Sequence, residues 1–260
     1  RVTHIGSDGY IERGSTDLKS YMAQVGYYGD KTKIKLLSYG GMAKTYLTYN
    51  GVSREEMALY GRRYHTSGQY ETTAGPYVLA DGTHVAYYDD ETDNYLQINN
   101  QLVLNHRFDN RWQLNATLFY TYGYGYYNQY KDDAWLASYT NLKTDVEQSD
   151  LIRSKLMYNH LGGANVAANY TTRNLDLTLG GSYSYYTCPH WGELKWVDGL
   201  DSSSLAGRWY DNDVVKHDGN IFARADWCVL RGWEDNELHL FGDLQYRYVH
   251  YKAWGTNDNA

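Results

Sequence analysis

Apolar and polar side chains alternate with a period of two along several stretches of the chain, most plainly from Tyr95 to Tyr122. Leu96, Ile98, Leu102 and Leu104 fall on one parity, and Gln97, Asn99, Gln101 and Asn105 on the other. After Phe108, Asp109, Asn110 and Arg111 the alternation resumes. Trp112, Leu114, Ala116, Leu118, Tyr120 and Tyr122 now oppose Gln113, Asn115, Thr117 and Thr121. Successive side chains of a strand point to opposite faces, so each run predicts a strand with one apolar face. A loop of odd length, Asp109 to Arg111, keeps both apolar sets on the same face, and Asp and Asn tolerate the left-handed backbone it needs.

The apolar face of the second run carries aromatics at both ends, Trp112 below and Tyr120 and Tyr122 above. A strand from 112 to 122 rises roughly 33 Å. Tilted by about 45°, it covers about 24 Å of a membrane normal, close to the apolar band of a transmembrane barrel between its aromatic girdles.

The pattern recurs. Residues 1–6 look like the end of a strand whose partner is missing. Tyr21, Ala23, Val25 and Tyr27 alternate with Ser20, Gln24 and Gly26, and a turn at Tyr28 to Lys31 leads to Ile34 and Leu36 against Lys33 and Lys35. That strand loses its alternation after Leu36. Leu151 to Tyr170 predicts another strand, with a bulge at Gly162 and Gly163. Thr171 to Asn174 turn the chain into Leu175, Leu177, Leu179, Gly181, Tyr183 and Tyr185, which face away from Asp176, Thr178, Ser182 and Ser184. The last two runs are Ile221 to Val229 and Leu238 to Tyr248. About eight strands result, joined alternately by short turns and by long loops near 47–92, 125–149 and 188–216. An all-β, antiparallel up-and-down transmembrane β-barrel segment has this asymmetry. Asn100, on the apolar parity opposite Tyr120, breaks the pattern.

Composition supports the strands and limits the function. Of 260 residues, 30 are Tyr, 25 Gly and 8 Trp, with only 2 Pro. Tyr and Trp suit half-buried strands and membrane interfaces. Mean hydropathy is −0.69, and no apolar run is long enough for a helix to span a bilayer. A net charge of −7 argues against nucleic acid as a partner, which needs a basic surface. The 2 cysteines, Cys188 and Cys228, fall at opposite ends of predicted strands, too far apart for a disulfide. The 9 histidines show no i, i+4 pair and no Cys partner, so no metal site is expected. The start at RVTHI and the stop at TNDNA read as part of a longer precursor.

SDGYIERGSTDLKSYMAQ, YYDDETDNY, LNATLFYTYGYGYYNQYK and LTLGGSYSYY followed by HWGELKW resemble TonB-dependent outer-membrane receptors of Bacteroidetes, across essentially the whole chain. The resemblance is to the barrel portion. It implies that residues 1–260 belong to a single barrel domain of about 22 strands, with an N-terminal plug and the barrel ends outside this sequence. It implies a bacterial outer-membrane location, contact with outer-membrane lipid, and uptake of a scarce small molecule driven by the inner-membrane TonB energy-coupling complex through the plug. The expected ligand is an iron chelate (siderophore or haem) or cobalamin. No nucleophile elbow, catalytic triad order or phosphate loop stands out, so no enzyme and no cofactor is expected. A glycan-importing receptor and a soluble, secreted carbohydrate-binding β-protein remain alternatives. So does a self-contained small barrel. The apolar belt decides against the soluble readings if no second sheet covers it.

Ligand chemistry in such a receptor belongs to loops and lumen. In YGRRYH, Arg62 and Arg63 offer cations for an anionic chelate, Tyr60 and Tyr64 offer rings to stack on it, and His65 closes the segment. Tyr126, Tyr127, Tyr130, Trp135, Trp191 and Trp196 offer further rings for a sugar or catecholate. Solvated charges and loop-to-loop packing are the plainer readings of the same residues. The acidic run Asp89 to Asn94 matches no calcium-loop spacing.

Overall fold

A computed structural model of the protein describes residues 1–48, 50–72, 75, 76, 78, 85–232 and 236–256. The strands are β1 (Val2–Ser7), β2 (Thr16–Tyr28) and β3 (Thr32–Tyr46). A loop with helix α1 (Arg54–Tyr60) and the small pair β4 (Glu71–Thr72) and β5 (Gly75–Pro76) follows. Then come β6 (Thr92–Arg107), β7 (Trp112–Trp135), β8 (Gln148–Thr171), β9 (Leu175–Thr187), β10 (His190–Val197), β11 (Arg208–Arg231) and β12 (Glu237–Gly255).

Ten of these strands form one sheet, in which every neighbouring pair is antiparallel. β9 and β10 both lie between β8 and β11. They are one stave interrupted at Cys188 and Pro189, where proline has no N–H to give the ladder. With that pair counted once, β2, β3, β6, β7, β8, β9/β10, β11 and β12 are the eight long staves that the alternation predicts. β1 is not partnerless as expected: it pairs with β2 from Val2↔Tyr21 to Ser7↔Thr16. β12 pairs with β11, and among the described residues the β1 and β12 edges are not joined. The fold is an antiparallel, barrel-like wall.

Local chemistry sets the short turns. The Asp109 carboxylate accepts from the N–H groups of Arg111 and Trp112 at 2.7 and 2.8 Å. Thr172 Oγ1 accepts from Asn174 N and Leu175 N at 3.3 and 3.0 Å. Each is a side chain standing in for a backbone turn, and each pins the register of its hairpin.

Three boundaries differ from the sequence reading. β7 continues to Trp135 and β11 begins at Arg208, with β10 between Cys188 and it. The connections expected at 125–149 and 188–216 therefore shrink to 136–147 and 198–207. Strict alternation ends where one face ceases to be uniformly apolar, but tyrosine-rich backbone goes on pairing. No bulge occurs at Gly162 and Gly163, where the register with β7 and β9 is continuous. A Cβ at Gly163 would strike the Phe119 ring and the Tyr183 carbonyl, so glycine there makes room rather than a bulge. β3 likewise runs unbroken past Leu36. Its alternation fades because Ser38 and Gly40 occupy the apolar parity.

Directly paired residues share a face, so the register draws the belt row by row. Val25, Leu36, Leu102, Leu118, Ala164 and Tyr183 form one row, and Tyr27, Ile34, Leu104, Ala116, Val166, Gly181, Ile221 and Tyr246 the next. Leu118 is 54% exposed, Val25 66% and Ile221 66%. No second sheet covers this face among the described residues. The other face is a hydrogen-bonded polar lattice: Asn105 Nδ2 donates to Asn115 at 2.7 Å, Thr121 Oγ1 to Asn99 at 2.9 Å, and Arg247 grips Asp218 at 3.0 and 2.6 Å. Lys33 and Lys35 lie on it, as the alternation requires.

The same rows account for Asn100. It shares a level with Ser38, Tyr120, Gly162, Tyr185, His217 and His250. There the belt gives way to a tyrosine–histidine girdle, with the Tyr120 hydroxyl 2.6 Å from His160 Nδ1 and the Tyr183 hydroxyl 2.8 Å from His217 Nδ1. Asn100 sits at the rim, where a polar side chain costs little. Trp112 and Trp227 mark the opposite rim, at the short turns.

Candidate ligand-binding surface above the belt

Beyond the girdle the polar face of β7, β8, β10 and β11 becomes cationic and aromatic. Tyr127, Lys155, Gly192 and Tyr210 lie in one row, and Gln129 and Arg153 pair in the next. Arg153 and Lys155, two apart on β8, project to the same side because the strand period is two. The Lys155 ammonium stands 5.2 Å from the Trp209 ring centre and 5.7 Å from that of Tyr210. The Arg153 guanidinium lies 5.9 Å from the Trp209 ring. Gly192 carries no side chain because a Cβ would collide with Trp209 and Tyr210.

A small core holds this patch in place. Leu136, Tyr139, Leu151, Leu194, Val197, Leu205, Trp209 and Tyr210 pack together and clamp the 136–147 and 198–207 connections onto the wall. Thr140 Oγ1 donates to the Trp209 carbonyl at 2.6 Å. Arg153 is buried and donates to Gln129 Oε1 at 3.1 and 2.9 Å and to the Tyr139 hydroxyl at 3.3 Å. Trp209 Nε1 is buried with no acceptor among the described residues. Lys131 joins the same neighbourhood. Burial, then the charges of Arg153 and Lys155, lower its ammonium below the ordinary lysine value. Preformed cations over aromatic faces can bind an anionic, ring-bearing ligand by charge and stacking together.

The structure distributes the sequence candidates differently. Tyr60 and Tyr64 stack on each other with ring centres 4.5 Å apart. Arg63 donates to the Tyr10 carbonyl at 2.8 Å and covers its ring, and the buried His65 contacts the Glu12 carbonyl at 2.5 Å. These two residues tie the long loop to the β1–β2 connection. Arg62 stays exposed. Tyr127 falls within the cationic patch, whereas Tyr126 and Trp191 have the belt parity. Trp191 is buried, with Nε1 donating to Glu193 at 2.8 Å and Arg208 over its ring at 4.3 Å. Trp135 and Trp196 are exposed at 58% and 39%, away from this row. Arg153, Lys155, Trp209 and Tyr210 lie outside the sequence candidates. The pair Arg153 and Lys155, on the parity of Tyr127, is the signal that could have found them.

The acidic run Asp89 to Asn94 does not converge. Asp90 takes donors from Lys44 at 3.0 Å, Thr92 at 3.1 Å and Asn128 at 2.6 Å, while Glu91 points to the Tyr130 N–H at 2.8 Å. Glu91 is 2% exposed, and burial pushes its carboxyl up to about 7 despite that hydrogen bond. A raised carboxyl pKa means that the folded loop holds a proton which the opened loop has lost. Stability contributed at Glu91 is therefore greatest at low pH and falls as pH rises from about 4.5 through about 7, by about 3 kcal/mol in all. Protection of the Tyr130 amide, taken relative to its pH-dependent intrinsic exchange rate, is expected to fall over that window and to become flat in Glu91→Gln. An unchanged profile in the variant would assign the pH dependence elsewhere.

No protein-family model matches the chain. Its fold is similar to solved receptor structures. Against the closed form of the ferric-catecholate import receptor Fiu from E. coli K12 the TM-score is 0.54 at 10% identity, over 98% of this chain and 43% of that one. Against BauA, the ferric preacinetobactin receptor of Acinetobacter baumannii, it is 0.55 at 9% identity, over 96% and 36%. Against FpvAI in its complex with pyocin S2 it is 0.62 at 12% identity, over 98% and 34%. The chain thus spans less than half the length of each of these proteins. At such identities the likeness is one of fold: the chain shares the antiparallel barrel wall of these proteins.

Proposed function

We propose that the chain is part of the barrel of a TonB-dependent outer-membrane receptor that takes up an iron chelate. The observation that carries this reading is the uncovered apolar belt, bounded by Trp112 and Trp227 at the turn end and by the tyrosine–histidine girdle at the loop end. A face of that height and character meets lipid, and the polar lattice behind it meets a wet lumen. Both soluble readings need a covering layer for the belt. Further staves on the β1 and β12 edges would close the barrel, at about 22 strands in the receptors of Bacteroidetes that the sequence resembles. The plug and the TonB complex are the partners this reading requires.

The chelate is anionic and contacts Lys155, Arg153, Lys131, Tyr127 and Tyr210 above the girdle. Tyr60, Arg62 and Tyr64 on the first loop and the exposed Trp135 and Trp196 extend the surface over which it is first captured. A strain lacking the gene is expected to lose growth on a ferric catecholate under iron limitation, and the full-length gene to restore it. Parallel cultures on haem, cobalamin and oligosaccharides discriminate the ligand class. Rescue confined to cobalamin or to oligosaccharides would overturn the iron-chelate reading while leaving the barrel intact.

A further inference from the structure

β11 and β12 meet at the turn end of the wall, near Trp227. A register shift between Cys228 and Leu230 leaves Cys228 opposite His239 and Arg231 opposite Glu237. Glu237 and His239, two apart on β12, share the polar face. As a result Cys228 Sγ, a His239 ring nitrogen and a Glu237 carboxylate oxygen lie within 4.8 Å of one another. Cys228 is a buried free thiol, 3.6 Å from the Leu230 carbonyl and hydrogen-bonded by the Arg231 side chain. Asp226, also on this face, lies 2.6 Å from His239 Nδ1, and Glu237 lies 3.1 Å from Nε2. Arg231 Nε holds the other Glu237 oxygen at 3.2 Å.

We propose that Cys228, Glu237 and His239 form a binding site for a zinc-class divalent transition metal, with Asp226 as the residue that positions His239. A thiolate, an imidazole and a carboxylate suit zinc or cobalt and disfavour calcium or magnesium, which take oxygen ligands. Nδ1–H donating to the Asp226 carboxylate leaves the Nε2 lone pair turned toward Cys228 and Glu237, the arrangement in which a second carboxylate fixes a metal-binding histidine. Tetrahedral bonds of 2.0 to 2.3 Å separate donors by about 3.5 Å. The three side chains need to draw together by about an ångström, which rotation of Glu237 and His239 supplies. Metal entry displaces the Cys228 thiol proton to solvent, and the dication then faces two negative ligands. The site stands independently of the transport reading.

The test is a titration of the chelator-stripped, detergent-solubilised full-length protein with Co²⁺ alone. One equivalent is expected to bind and to give a thiolate-to-cobalt charge-transfer band in the near ultraviolet, which Zn²⁺ abolishes by displacement. Cys228→Ser removes the band, and Cys188→Ser leaves it unchanged. Asp226→Asn keeps the band and weakens affinity by about 10- to 100-fold. If Cys228→Ser does not assemble, Glu237→Gln at an exposed position carries the same expectation of weakened binding. No band in the unaltered protein, a band that survives Cys228→Ser, or undiminished affinity in Glu237→Gln overturns the site.

Discussion

Lys155→Glu is expected to weaken binding of a ferric catecholate by about 30- to 100-fold. Lys155 projects from the row of Tyr127 and Tyr210 toward the face where the proposed ligand lies, beside Trp209. Inverting it changes the local charge by two units among Arg153 and Lys131. At partly screened protein–ligand separations this amounts to about 2 to 2.7 kcal/mol. Lys155→Gln removes one unit, so about tenfold is expected there. Raising the salt concentration should narrow both differences, because the interaction is partly exposed to solvent. Arg153 is a poorer probe. It is buried and holds Gln129 and Tyr139, and its loss would loosen the 136–147 connection together with any ligand contact. Titration of the full-length variants with the chelate checks the expectation. Equal affinities for the unaltered protein and Lys155→Glu would remove this patch from the ligand path.

The belt was legible in the sequence because its cause is local: a strand with one apolar and one polar face must alternate, and Leu114, Ala116 and Leu118 do so whatever their neighbours are. Asn100 looked like an error until the register placed it level with Tyr120, His217 and His250, since height in the wall belongs to the sheet and not to one strand. Above the girdle the constraint disappears. GYYNQY, Gly125 to Tyr130, has no alternation to show, yet β8 pairs with it throughout, so a loop expected from residue 125 is strand instead. Charged pairs such as Arg153 and Lys155 do not stand out in the sequence, because a lumen-facing pair near a strand end has the same spacing as a solvated one. The Cys228–His239 proximity was the least accessible. It depends on a one-residue slip across a hairpin, and no spacing along the chain encodes it.

Ile221→Arg is expected to cost about 2 to 4 kcal/mol of folding free energy in phospholipid vesicles, whereas Thr117→Arg is expected to cost little. Ile221 lies midway between Trp227 and the girdle residue His217 on β11, in the row of Leu104 and Ala116, and is 66% exposed. A guanidinium there must sit in hydrocarbon or drag water in with it, and the penalty is largest near the midplane. Thr117 is in the row of Lys35, Asn165, Ser182 and Asn220 on the opposite face, where an added cation meets polar side chains. In water the expectation reverses in kind: an isoleucine this exposed on a soluble protein can be replaced by arginine within about 0.5 kcal/mol. The two variants therefore separate the environments of the two faces. At 1.36 kcal/mol per tenfold, the Ile221 cost is roughly a 30- to 1000-fold shift in the folding equilibrium, well within reach of denaturant titration of the full-length protein. Equal costs at the two positions would mean that both faces meet the same medium, and the wall would not be a membrane wall.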